Sequence, residues 1–245
     1  MNKTVMTITS ALLTSSISLL ASSHWGYTGH NAPQNWGNIS PKYAICSTGK
    51  NQSPINITSS FETNLEAIDF NYATAGKEIL NNGHTVQVNV KDGNSITIDG
   101  VKYKLLQVHF HTPSENNIDG NSFPLEAHFV HIDKDGNLAV VAVMFKDGKE
   151  NAQLAKLWKY MPMKVGEKHP LVAELQDINK LLPENKDYYR FNGSLTTPPC
   201  SEGVKWMVLS TPLTISKEQV EKFSHAVHGT NNRPVQDINA RIILK

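Results

Sequence analysis

Apolar and polar side chains alternate with a period of two through much of the chain after residue 85. Val86, Val88 and Val90 are spaced by polar residues, Asp92-Gly93 interrupts, Ile96 and Ile98 resume the alternation, and Asp99-Gly100 ends it. A period of two puts alternate side chains on opposite faces of a strand, and Asp-Gly supplies the positive φ of tight turns, so hairpins are predicted at both dipeptides. The same alternation runs through residues 102–112, 125–133 and 204–210, and a continuous apolar run covers 138–145 after Asp135-Gly136. Helical spacing is confined to 152–160, 171–182 and 216–227; the last opens on Ser216 with Gln219 three residues on, the form of a capping box. Residues 26–54, rich in Gly, Asn, Pro and Ser, show no period and predict ordered loop. No repeat and no change of composition marks a boundary. The expectation is therefore one mainly β (α+β) domain, a large antiparallel sheet with a few short peripheral helices.

The first 23 residues stand apart. Lys3 is followed by a mildly apolar stretch from Val5 to Leu20 and then by Ala21-Ser22-Ser23, the layout of a secretory signal. About 16 residues diluted with Ser and Thr fall short of the roughly 20 apolar residues of a membrane span, and no later stretch comes closer. The sequence thus predicts a cleaved segment 1–23, a mature domain 24–245 that does not insert into a membrane, and a periplasmic or secreted location. Cleavage removes Lys3 and leaves 222 residues with 22 basic and 22 acidic side chains. That balance, with the basic residues scattered, gives no electrostatic footprint for nucleic acid or an anionic membrane surface. Cys46 and Cys200, the only two cysteines, form no C-x-x-C pair. In an oxidising compartment a single structural disulfide is the expectation.

Candidate chemistry is concentrated in QVHFHTPSENN (107–117) and LEAHFVHID (125–133). On a strand, Gln107, His109 and His111 point the same way, and on the next strand Glu126, His128 and Val130 share a face. The intervening segment is long enough for the two strands to pair antiparallel, which lets His128 complete a three-histidine facet. Three imidazoles with a fourth position left to water form a catalytic zinc site; a closed structural site would use four protein ligands, usually with Cys. Copper would favour Cys or Met nearby, and a non-haem iron triad would replace one His by a carboxylate. Zinc fits best. Gln107 and Glu126 lie where zinc-binding imidazoles need acceptors for their second ring nitrogen. His131 falls on the opposite face from His128 and is expected to be a hydrogen-bonded core histidine. No H-E-x-x-H occurs, which excludes that class of zinc protease.

With these residues in place, the chain resembles the alpha-class carbonic anhydrases. The resemblance begins at His24-Trp25-Gly26-Tyr27 and continues in order through GKNQSPINI (49–57), NNGHTVQV (81–88), QVHFHTPSEN (107–116), LEAHFVH (125–131), SLTTPPC (194–200), VKWMVL (204–209) and NNRPVQ (231–236). It covers nearly all of the mature chain. It implies a central, mostly antiparallel, twisted ten-stranded sheet, Zn2+ held by His109, His111 and His128, and reversible hydration of carbon dioxide to bicarbonate and a proton by hydroxide on the zinc. It further implies a disulfide between Cys46 and Cys200 and a relay in which the Thr196 hydroxyl donates to Glu115. Val130, Val140, Leu195, Val204 and Trp206 take the place of the family's hydrophobic wall, with Thr196 and Thr197 near the substrate oxygens. His84 falls at the proton-shuttle position, and Tyr27 and Asn82 where the family orders water. Asn116 stands where many members carry another His. The resemblance also allows a homodimer. Two other readings stay open at this point: a catalytically silent binding protein on the same fold, and an exported zinc carrier using the same three histidines.

Overall fold

The computed structural model describes residues 24–171 and 177–245. The expected signal segment and residues 172–176 of the expected helix 171–182 lie outside the described residues. The strands are β1 (Asn56–Ile57), β2 (Asp69–Tyr72), β3 (Gly76–Asn81), β4 (Val86–Val90), β5 (Asn94–Ile98), β6 (Val101–His111), β7 (Asn117–Ile118), β8 (Leu125–Ile132), β9 (Leu138–Asp147), β10 (Lys168–Pro170), β11 (Tyr188–Ser194), β12 (Glu202–Leu209) and β13 (Leu213–Ile215). The helices are α1 (Trp36–Ile39), α2 (Ile45–Thr48), α3 (Ala152–Trp158) and α4 (Lys217–Ala226). Strands dominate, as the alternation predicts.

Among the described residues the central sheet has 11 strands, one more than expected, and is mixed. Its spine runs β10-β3-β4-β6-β8-β9-β12-β11. Neighbours along it are antiparallel except β9 with β12; β13 also joins β9 in parallel, and β1 and β7 form a separate parallel pair. β12 follows β11 as its antiparallel partner, so docking that pair on β9 sets β12 parallel to it.

One of the two expected hairpins is present. At Asp99-Gly100 both residues have positive φ (51° and 72°), and β5 folds back directly on β6 with Ile98 opposite Val101. At Asp92-Gly93 the chain does turn, but β4 and β5 do not pair. They lie end to end along one edge of β6, β4 against residues 107–109 and β5 against residues 101–104. The eleven-residue β6 is long enough to template both, and this satisfies their backbone groups without a hairpin.

The expected loop 26–54 holds the two one-turn helices α1 and α2 and three 3-10 turns. Pro33 and Pro41 start two of these turns, where a missing N–H costs nothing, and Trp36 is fully buried beneath them. α4 has the expected capping box: the Ser216 side chain accepts from Gln219 N, and the Gln219 side chain accepts from Ser216 N. Of the expected helix 171–182, the described part contains a single 3-10 turn, Ile178–Leu181.

The sheet separates two apolar layers. Val88, Val108, Phe110, Phe129, Val141 and Val143 face α3 and α4, with Phe110 edge-on to Trp158 at 5.1 Å. Val140, Ala142, Met144, Val204, Trp206 and Val208 form the other layer. β9 contributes to both, which explains its unbroken apolar run. Among the described residues no helix is long and apolar enough to cross a membrane.

Candidate metal centre

The register of β6 and β8 builds the site. His109 stands directly opposite His128, Gln107 opposite Val130 and His111 opposite Glu126. A bulge between Leu105 and Gln107 shifts the alternation, so Leu105 stays in the core with Val108 and Phe110 while Gln107, His109 and His111 keep the other face. Directly opposed side chains on one face of an antiparallel pair are close neighbours. One ring nitrogen from each of His109, His111 and His128 lies within 4.8 Å of the other two, so the triad is positioned to hold a metal ion.

Each ring has a partner behind its other nitrogen. His109 Nδ1 hydrogen-bonds Gln107 Oε1 at 2.9 Å and His111 Nδ1 the Asn231 carbonyl at 2.7 Å, while His128 Nε2 lies 2.9 Å from Glu126 Oε1 in a charge contact without hydrogen-bond geometry. These contacts fix ring orientation and leave His109 Nε2, His111 Nε2 and His128 Nδ1 for a shared ligand. Burial pushes all three imidazoles below their ordinary pKa, and mutual repulsion adds to this for His109 and His128. They are neutral near pH 7, the state in which imidazole ligates a metal. Glu126 is held in turn, accepting from Glu115 N (2.7 Å), Asn116 N (2.9 Å) and Asn116 Nδ2 (2.8 Å). Asn116 is thus built into the support of His128, and its Oδ1 accepts from Ile55 N at 3.1 Å.

Glu115 lies beneath the triad, its Oε2 3.5 Å from His111 Nε2 and 3.9 Å from His128 Nδ1. Its Oε1 accepts from Arg233 N at 2.8 Å, and its Oε2 is buried with no hydrogen-bond partner among the described residues. Burial pushes the Glu115 carboxyl well above the usual carboxylate range, against the opposing pull of the neighbouring Thr196 hydroxyl and the Arg233 N–H. The buried Val140, Val204 and Trp206 and the half-buried Val130 and Leu195 form one apolar cluster, in which Trp206 stands edge-on to the His128 ring at 5.0 Å. Thr197 is half-buried beside Thr196, its carbonyl accepting from Cys200 N at 2.9 Å. Cys46 and Cys200 are disulfide-bonded.

His84 sits apart from the triad, its ring stacked on Trp25 at 3.7 Å and its backbone N–H donating to Asn82 Oδ1 at 2.9 Å. Partial burial, then the neighbouring His24, moves its pKa down. Tyr27 packs edge-on against Trp25 and Trp36 and has a buried hydroxyl without a hydrogen-bond partner. His131 lies on the opposite face, as the alternation predicts, fully buried between the Tyr72 hydroxyl (2.9 Å from Nε2) and the Ala139 carbonyl (3.3 Å from Nδ1).

The donor set fits a tetrahedral metal ion with one open corner: three neutral imidazoles, no free thiol, and a His111 Nε2 that is buried with no hydrogen-bond partner. Sequence reasoning missed two functional supports, Asn231 and Arg233. Their only signal was the motif NNRPVQ, whose individual residues carry no metal or acid–base signature.

Comparison with known proteins agrees with this geometry. The profile of the family described as eukaryotic-type carbonic anhydrase matches residues 31–245. A carbonic anhydrase of Neisseria gonorrhoeae is 51% identical over 223 residues, 91% of this chain and 88% of that protein. One of Pectobacterium carotovorum is 48% identical over 94% of this chain and 93% of its own. The structure of the alpha-carbonic anhydrase of Thermovibrio ammonificans with the inhibitor sulfanilamide superimposes with a TM-score of 0.88 at 49% identity, covering 91% of this chain and 99% of that one. On the fold, the histidine triad and these matches, the chain belongs to the eukaryotic-type (alpha) carbonic anhydrases, a family of zinc enzymes whose function is the hydration of carbon dioxide.

Proposed function

We propose that this chain is an exported zinc carbonic anhydrase that interconverts carbon dioxide and bicarbonate, with domain 24–245 as the mature enzyme and 1–23 as its removed signal. The observation that carries the reading is the convergence of three back-braced imidazole nitrogens beside an apolar wall. Zinc, held by His109, His111 and His128, would supply a Lewis acid that makes hydroxide available as the nucleophile near neutral pH, and its positive charge would favour the ionised form of Glu115.

The protein's own groups do the rest. Ionised Glu115 accepts a hydrogen bond from the Thr196 hydroxyl, which leaves the Thr196 oxygen free to accept one in turn and so orient the attacking hydroxide. Val130, Val140, Leu195, Val204 and Trp206 offer carbon dioxide an apolar surface, and an apolar substrate gains by leaving water. The Thr196 N–H and the Thr197 side chain meet the substrate oxygens and the departing bicarbonate. His84 takes the released proton to solvent, since an imidazole can both accept and release a proton. Tyr27 and Asn82 order the water between.

A silent binding protein would need none of the Thr196–Glu115 contact, and a zinc carrier would not need the apolar wall. Stopped-flow hydration of carbon dioxide by the purified protein, with zinc and after removal of zinc by a chelator, tests the reading. Activity should vanish on chelation and return with zinc, and His109→Ala should lose both the metal and turnover. Full turnover by the chelated protein or by His109→Ala would overturn the assignment.

A further inference from the structure

Asn231 comes from the NNRPVQ segment and is fully buried. Its carbonyl holds the His111 ring, and its carboxamide makes three further bonds. Oδ1 accepts from Thr112 N at 2.8 Å, while Nδ2 donates to the Phe110 carbonyl at 2.9 Å and to the His84 carbonyl at 3.0 Å. Its own N–H returns to the Thr112 carbonyl at 3.0 Å. Four of these five bonds clamp Asn231 to the end of β6 around His111. The fifth reaches across to His84.

The His84 N–H is held by Asn82, and its ring stacks on Trp25 and stands 6.0 Å from that of His24; the next residue, Thr85, donates its hydroxyl to the Phe110 carbonyl of β6. Among the described residues, Asn231 is the one hydrogen-bond partner of His84 that also holds a histidine of the triad. The carboxamide therefore ties the backbone of His84 to the strand that carries His109 and His111. Proton transfer over an intervening gap depends steeply on the separation and alignment of its two ends, and a misplacement of about 1 Å can cost ~100-fold.

We propose that the Asn231 carboxamide is a positioning group for proton transfer: it fixes His84 relative to His111 so that the proton leaving the metal site meets a held acceptor. This rests on the reading of the chain as a zinc hydratase with His84 as its proton carrier. The role belongs to the side chain and is separate from that of the carbonyl, which every substitution at 231 retains.

The test is a double-mutant cycle between Asn231→Asp and His84→Ala. Asp keeps the acceptor for Thr112 N but sets an oxygen against the carbonyls of His84 and Phe110. In dilute buffer kcat should fall about tenfold in Asn231→Asp while kcat/KM falls less than about threefold, because kcat/KM does not include the later transfer to solvent. Added imidazole should restore kcat, and Asn231→Asp should cause no further loss of kcat when His84 is already Ala. Asn231→Ser, which also lacks the amide donor, serves if the Asp variant does not fold. An independent readout is the imidazole NMR signal of His84 in the metal-free protein, which should move as the ring leaves the face of Trp25. Parallel loss of kcat and kcat/KM, a further loss in the His84→Ala background, or an unmoved His84 signal overturns the proposal. Zinc-independent inactivity of the unsubstituted protein would remove the functional reading itself and the positioning role with it, an outcome distinct from an active enzyme whose cycle shows no coupling.

Discussion

Glu126 is a fully buried carboxyl facing three N–H donors and the Nε2 of His128. Backbone and amide donors from Glu115 and Asn116 occupy both of its oxygens, so the carboxyl cannot rotate away from the imidazole it supports. Removing its charge while keeping its shape, in Glu126→Gln, should leave the fold intact and weaken metal binding by about 10–100-fold, the range for such outer partners. Competition with a chromogenic chelator measures this, and unchanged affinity would show that Glu126 only packs against His128. This residue was legible in the sequence, as was Gln107, because both lie two positions from a histidine on a strand, where period two dictates a shared face. Asn231 was not legible. It is 120 residues from His111 and acts on that ring through a backbone carbonyl, a group every residue carries. Arg233 likewise reaches Glu115 through its backbone N–H, while its guanidinium donates to Gln52, Ser53 and Cys46. Alternation says which way a side chain points, but it says nothing about where a distant turn delivers its backbone.

Individual elements were legible where one pattern decided them. β6, β8, β9 and β12 follow the predicted runs to within two residues at each end, and α4 follows its capping box. Which edge each strand joins was not, because Asp92-Gly93 and Asp99-Gly100 look alike locally and only the length of β6 separates their outcomes. The same limit hides the link between β2 and β8, strands that do not neighbour each other in the sheet. Tyr72 of β2 meets His131 of β8 under the metal-bearing face, and burial holds the His131 pKa down at about 3. The sign follows from proton counting. The unfolded chain takes up this proton as the pH drops below about 6.5, whereas the folded state resists until about 3. The pair therefore contributes stability above pH 6.5 that is lost progressively between there and pH 3, by up to about 1.4 kcal/mol per pH unit. Replacing both partners by apolar groups, Tyr72→Phe with His131→Leu, removes the titration without leaving either side chain's polar group unpaired, at the cost of the long contact to the Ala139 carbonyl. Urea unfolding at a series of pH values from 7 to 4 should show a shallower decline in the double variant; identical slopes would mean that His131 does not titrate on unfolding.

For the whole molecule, the disulfide links the N-terminal turns to the loop that carries the proposed relay. Cys46 and Cys200 are 154 residues apart, so their bond closes most of the chain into one loop. Chain-entropy reasoning assigns closure of a loop this long about 5 kcal/mol at 25 °C, gained by restricting the unfolded state. Contacts around the bond pass that restraint inward. Gln52 donates to the Cys200 carbonyl at 3.0 Å and accepts from Arg233 at 2.9 Å; Arg233 in turn donates to the Cys46 carbonyl at 2.7 Å and, through its N–H, to Glu115 at 2.8 Å. Since 1 kcal/mol corresponds to about 2–4 °C for a domain of this size, full reduction should lower Tm by about 10–20 °C. Calorimetry with and without reductant measures the shift, and a Cys46→Ala, Cys200→Ala variant should melt at the reduced temperature under both conditions. Below the reduced Tm the fold persists, so hydration activity at 25 °C should outlast the loss of the bond if Gln52 and Arg233 hold Glu115 without it. Loss of activity on reduction, at a temperature where the chain is still folded, would show instead that the bond is what keeps the relay in place.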